Sequence, residues 1–196
     1  MMQPIKQLPN NIPRANNVLA AWFAQQALRI TGWQVVGVIP DEPKLIFAVA
    51  PHTSNWDFIL GLLVKYAFNL KVNFLGKDSI FVWPFSIWLK SVGGIAVERS
   101  NAHGVVKQIV KEFSKQPQLI LGLAPEGTRS KVGKWKTGFL HIAKQANIPV
   151  VPVQLNFKHK QVMFFEKRMI TAAIDDELQQ MQNLFSADCA KKPQNF

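Results

Sequence analysis

The chain has a single cysteine, Cys189, among 196 residues. No intramolecular disulfide framework can staple it, cysteine alone cannot build a structural zinc site, and a reducing compartment is the simplest setting for it. Long apolar runs are also missing. A spanning helix needs roughly 20 mostly apolar residues. The best stretches fall short: Val18 to Ile30 carries Gln25, Gln26 and Arg29, and Ser79 to Leu89 is broken by Pro84. Both suit a headgroup layer better than a bilayer core, since Trp and Phe beside Lys or Arg are what an interfacial segment uses. The opening MMQPIKQLPN has no apolar run behind a basic start, so it does not resemble a secretory signal, and the mature chain is expected to begin at Met1. His103, His141 and His159 show neither an H-E-x-x-H pattern nor paired spacing, so no metal site is expected.

Acidic residues are few as well: 12 Asp and Glu stand against 23 Lys and Arg, a formal charge of +11. The imbalance concentrates in residues 101–160, which hold ten basic and two acidic residues. A field of that sign implies an anionic partner, whether nucleic acid, a membrane surface, a phosphorylated substrate or an acidic protein. Nucleic acid is disfavoured, because no recognition helix or stacking-aromatic motif is present and Arg is scarce among the basic residues. With 48% apolar and 18% charged residues the chain folds, and its length fits one domain, residues 1–196.

Asn16 or Asn17 can cap a helix running to Thr31, with Leu19, Trp22, Phe23, Gln26 and Ile30 on one side and Gly32 ending it, which makes residues 1–32 an N-terminal helical segment. Strands are predicted at Trp33–Val38, Leu45–Ala50, Val72–Leu75, Ile95–Val97, Leu119–Leu123, Val150–Leu155 and Val162–Phe165. Helices are predicted at Phe58–Asn69, Phe81–Lys90 with an interruption near Pro84, Val105–Ser114, Phe139–Asn147 and Ile174–Phe185. The alternation predicts an α/β class: a single domain with a largely parallel central sheet flanked by helices. Phe81, Trp83, Phe85 and Trp88 read by default as core, and as a membrane-docking face if exposed.

Reactive groups in open α/β sheets collect in loops at the carboxyl ends of strands, and three polar loops stand there. In Pro51-His52-Thr53-Ser54-Asn55-Trp56-Asp57, His52 suits proton transfer near neutral pH, and Asp57 can fix its tautomer if a helix begins between them. On spacing alone the pair reads more readily as a surface histidine beside a capping aspartate. In Glu126-Gly127-Thr128-Arg129-Ser130, Arg129 offers a planar fork to a phosphate, the hydroxyls add donors, Gly127 permits close backbone approach, and Glu126 can orient the arginine. Alone, the loop reads also as a solvated turn with a Glu–Arg pair. Arg99, after Gly93-Gly94-Ile95-Ala96-Val97-Glu98, supplies a second cation or else pairs with Glu98.

Taken in order, H-x-x-x-x-D, G-G-I-x-V-E-R, P-E-G-T-R-S and Ile148-Pro149-Val150-Val151-Pro152-Val153 resemble the four blocks of the glycerolipid (lysophospholipid) acyltransferase superfamily, typified by 1-acyl-sn-glycerol-3-phosphate acyltransferases. Pro51, Glu98 and Ala124 depart from that pattern, where Asn, Asp and Phe are frequent. The resemblance runs from Ala50 to Val153, within a catalytic core of residues 44–155, and implies a glycerol-3-phosphate acyltransferase-like fold.

It further implies that His52 is the general base that deprotonates an acceptor hydroxyl and that Asp57 orients it. Arg99, Glu126, Gly127, Thr128 and Arg129 would hold the acceptor's phosphate, and Pro149 and Pro152 would shape the acyl-binding wall. The substrates implied are a lysophospholipid acceptor and an acyl thioester donor, acyl-CoA or acyl-carrier protein, with no cofactor and no metal. The nucleophile belongs to the substrate, which leaves Cys189 outside the mechanism. Many relatives carry longer hydrophobic N-terminal helices, so attachment here is expected to be peripheral and salt-sensitive, on an anionic membrane surface at the cytoplasmic side of the inner membrane. Transfer to another lyso-lipid, such as an aminolipid, and non-catalytic lipid binding are the competing readings. Intact His52, Asp57 and PEGTRS favour catalysis.

Overall fold

The structure is a computed structural model that describes Ile5, residues 8–98 and residues 102–196, with the backbone alone at 102 and 103. Strands and helices alternate along the chain: α1 Val18–Thr31, β1 Gln34–Gly37, β2 Lys44–Ala50, α2 Asn55–Ala67, β3 Val72–Lys77, α3 Phe85–Ser91, β4 Gly94–Val97, α4 Ala102–Lys115, β5 Leu119–Leu123, α5 Gly138–Ala146, β6 Val150–Asn156, β7 Gln161–Phe164 and α6 Ile174–Gln182.

The seven strands form one sheet in the order β1-β7-β6-β2-β5-β3-β4. Five of them, from β6 to β4, run parallel, as the alternation predicts. The β6–β7 pair is antiparallel, and β1 lies parallel to β7, so one edge of the sheet is reversed. The reason is local: only four residues separate β6 from β7, which allows a hairpin and is too short for a crossover.

Period-two alternation divides the central strands between two cores. Ile46, Ala48 and Ala50 of β2, with Leu119 and Leu121 of β5, face the layer of α4, α5 and α6, where Phe113, Leu140 and Met181 pack. Leu45 and Phe47 of β2, with Ile120 of β5 and Val151, Val153 and Leu155 of β6, face α1 and α2. A strand buried on both faces needs apolar residues throughout, which is why Lys44–Ala50 lacks polar alternation.

α1 begins at Asn17, whose side chain accepts from the Ala20 amide, and ends at Gly32 in the left-handed conformation. Its inner face is Ala21, Ala24 and Leu28, while Val18, Leu19, Trp22, Phe23 and Ile30 are exposed. The aromatics near Pro84 also depart from the core expectation: Trp83, Phe85 and Trp88 are exposed. Seven-residue α3 buries only Leu89 and lies beside edge strand β4, so no layer covers its outer side.

Candidate active site

The parallel strands end together. Ala48 of β2 pairs with Leu123 at the end of β5, Ala50 with Gln154 near the end of β6, and Lys77 of β3 with Val97 of β4. The loops after β2 and β5 therefore emerge side by side, as do those after β3 and β4. Arg99, in the loop after β4, lies outside the described residues.

α2 starts at Asn55, three residues before the predicted Phe58, because Ser54 and Asp57 form a capping box. The Ser54 hydroxyl accepts from the Trp56 amide at 3.3 Å, and Asp57 Oδ2 accepts from the amides of Thr53 and Ser54 at 2.6 and 2.7 Å. An aspartate at the third helical position satisfies orphan amides and sits favourably at the positive end of the helix dipole. The same oxygen stands 3.3 Å from Nδ1 of His52. The Asp57 side chain is wholly buried and that of His52 is 25% exposed, with Nδ1 of the ring facing the carboxylate. The second oxygen, Oδ1, is buried without a hydrogen-bond partner among the described residues.

Glu126 stands differently from the sequence expectation. It is only 2% exposed and turns inward, where both oxygens accept from the His52 amide at 2.9 and 3.0 Å. Among the described residues no hydrogen bond or ion pair joins it to Arg129. Burial pushes its carboxyl up to about 7, opposed by the His52 amide and by the positive charge His52 carries when protonated, and reinforced by the negative charge of Asp57.

The residues that follow are exposed. Gly127 has φ +71°, a left-handed turn in which an added Cβ would lie 3.3 Å from Cγ of Lys136. Thr128, Arg129 and Ser130 lie on the surface, with Thr128 Oγ1 accepting from the Ser130 amide at 3.4 Å. The structure thus brings His52, Asp57 and Glu126 together and sets Gly127 to Arg129 on the open loop directly after them. Pro149 and Pro152 are buried, Pro152 opposite Ala48.

Sequence reasoning missed the supports behind the histidine loop. Thr53 is buried, its hydroxyl accepts from the Lys192 amide at 3.2 Å, and its carbonyl accepts from Asn195 Nδ2 at 3.4 Å. A cavity of about 140 Å³ beside Glu126 is lined by Val132, Trp135, Gln182 and Phe196. Only Trp135, an aromatic in a lysine-rich loop, signalled a buried anchor there. A larger depression of about 510 Å³, also lined by Trp135, includes Lys134, Lys136 and His141. Among the described residues no three His, Cys, Asp or Glu side chains converge as metal ligands, and no helix is long and apolar enough to cross a membrane.

Comparison with known proteins bears on this geometry. A family model described as Acyltransferase matches residues 34–156. The 1-acyl-sn-glycerol-3-phosphate acyltransferase of Haemophilus influenzae is 27% identical over 164 residues, covering 79% of this chain and 65% of its own length. The enzymes of that name from Escherichia coli and Pseudomonas aeruginosa are each 32% identical, over 54% and 70% of this chain and 44% and 54% of theirs. The chain spans about half the length of the curated relatives it matches. Among solved structures, the 1-acyl-sn-glycerophosphate (LPA) acyltransferase PlsC of Thermotoga maritima superimposes with a TM-score of 0.59 at 18% identity, over 84% of this chain and 74% of its own, and so shares the fold.

Proposed function

The chain belongs to the acyltransferase family, and from that premise we propose that it moves a fatty acyl group from a thioester donor to the free hydroxyl of a lysophospholipid of the 1-acylglycerol-3-phosphate type. His52 is the general base and Asp57 orients it. The observation that carries the reading is the 3.3 Å approach of His52 Nδ1 to a wholly buried carboxylate at the mouth of a parallel sheet. That contact favours the tautomer with the proton on Nδ1, which leaves Nε2 as the proton acceptor, and it stabilises the imidazolium that forms.

In the step itself, Nε2 takes the proton of the acceptor hydroxyl as its oxygen attacks the thioester carbonyl. The tetrahedral intermediate then collapses, the C–S bond breaks, and the thiolate leaves with the proton returned by the imidazolium. No enzyme acyl group forms, since the nucleophile is the acceptor's own oxygen. The exposed Thr128 and Arg129, with Gly127 allowing close backbone approach, bind the acceptor's phosphate, and Arg99 adds a second cation. Acyl-CoA and acyl-carrier protein both fit as donors. Attachment is peripheral, to the anionic cytoplasmic face of the inner membrane, and the exposed apolar side chains of α1 and α3 support it.

The test is thiol release by the purified protein with 1-acylglycerol-3-phosphate and each donor in turn. His52→Ala is expected to lose a factor of about 100 to 10,000 in kcat, the usual worth of a positioned base, with an unchanged melting temperature. Full turnover by that variant refutes the mechanism.

A further inference from the structure

We propose that Glu126 is a positioning residue for His52 rather than part of the acceptor's phosphate site. The inference rests on His52 being the base and changes the task of its neighbour in the PEGTRS loop.

Three successive amides of the histidine loop are held by two carboxylates. Asp57 takes those of Thr53 and Ser54 from within α2, and Glu126 takes that of His52 with both oxygens, across 74 positions of sequence. A bidentate acceptor on one amide fixes where the backbone at His52 sits, and so where the ring emerges, whereas Asp57 fixes how the ring is turned. A phosphate ligand needs donors, and a carboxylate facing it would repel it. Glu126 is moreover only 2% exposed, while the next three residues are on the surface. The loop therefore divides at the 126–127 peptide: one side faces inward to the base, the other outward to the acceptor.

The charged groups facing Glu126 are His52 and Asp57. The loop before α5, α6 and the C-terminal turn present Val132, Trp135, Gln182 and Phe196, whose side chains carry no charge.

Glu126→Gln keeps an acceptor oxygen for the His52 amide and removes the charge. Glu126→Asp keeps the charge but shortens the arm by one methylene. Both are to be checked for folding by thermal denaturation, then assayed for kcat and acceptor KM, with the His52 backbone amide followed by NMR in protein carrying 15N-labelled histidine and assigned by its absence in His52→Ala. The expected result is a kcat lower by about ten- to a hundredfold in both variants, the range of a lost buried charge-assisted hydrogen bond, with acceptor KM changed less than twofold. The His52 amide proton should move upfield in both variants, because its hydrogen bond loses the charge in one and lengthens in the other. A raised acceptor KM with kcat and the His52 amide shift unchanged overturns the proposal and returns Glu126 to the phosphate site. The NMR arm needs no substrate. A wild type that transfers no acyl group would thus refute the proposed function, and the His52 amide shift would still decide the role of Glu126.

Discussion

The exposed aromatics at the start of α3 can be tested directly as a membrane face. Trp83, two residues before the helix, is 81% exposed, and Trp88 on it is 51% exposed, beside exposed Phe85 and Ile87. Replacing both tryptophans with serine removes the exposed surface of Trp83 and, at Trp88, also an edge-on contact with Phe58 at 6.4 Å, so the melting temperature should fall by only several degrees and the protein stay folded. Membrane binding should respond strongly. With roughly 200 Å² per tryptophan and about 25 cal/mol per Å², the exposed parts of the two rings are worth about 6 kcal/mol when fully removed from water. A headgroup layer leaves part of each ring wet, and half that value, about 3 kcal/mol, predicts a partition coefficient lower by roughly two orders of magnitude.

Co-sedimentation with anionic vesicles at low and high salt separates the two attractions. The lysine contribution is screened as the Debye length shrinks from about 10 Å at 0.1 M to about 3 Å at 1 M, while the aromatic contribution persists. Wild type should therefore retain binding at high salt that the double variant lacks. Equal partitioning of the two proteins at both salt concentrations refutes the assignment of this face, because no other consequence of the exposed rings is large enough to hide a loss of that size.

Arg129→Ala should raise the acceptor KM by about ten- to a hundredfold, the worth of a charge-assisted phosphate contact, with kcat little changed; initial-rate kinetics over acceptor concentration would contradict the phosphate assignment if KM stayed put. Stability should carry the imprint of Glu126, whose carboxyl is raised from 4.5 to about 7 by burial. Its folded form holds the proton more tightly than the unfolded chain, so its contribution is complete below pH 4.5 and is lost as pH rises through about 7. Urea midpoints of wild type minus those of Glu126→Gln should accordingly fall between these two pH values. A difference that is flat or rising over that window rules out the raised carboxyl.

What was legible in the sequence follows from how local each feature is. The sheet could be read because β2, β5 and the first four residues of β6 are covered on both faces, which favours apolar runs, and because α1 is bounded by Asn17 and Gly32, whose capping chemistry is confined to a few residues. The reversed edge depended on a four-residue hairpin that composition does not distinguish from any other short loop. The inner face of α1 was obscured because its contacts are made by Ala21 and Ala24, while Trp22 and Phe23, the stronger hydrophobic signal, point outward. A helical repeat of large side chains marks a face without saying what covers it.

The site shows the same division. His52 and Asp57 could be paired from sequence because one carboxylate performs two tasks. As the third residue of α2 it closes the capping box with Ser54, and the turn this imposes is what carries it back to the imidazole. Helix initiation and ring orientation therefore leave a single signature, a histidine two residues before a Ser-x-x-Asp cap. Glu126 leaves none, because its partner is a backbone amide 74 positions away, and a backbone amide has no residue type to match. Beside Thr128 and Arg129 its charge suggested a role in their loop, yet burial assigns it to the neighbouring one. Side chains that grip one another can be recognised by their types, whereas a side chain that grips the main chain across a sheet becomes visible only when the strands are set in register.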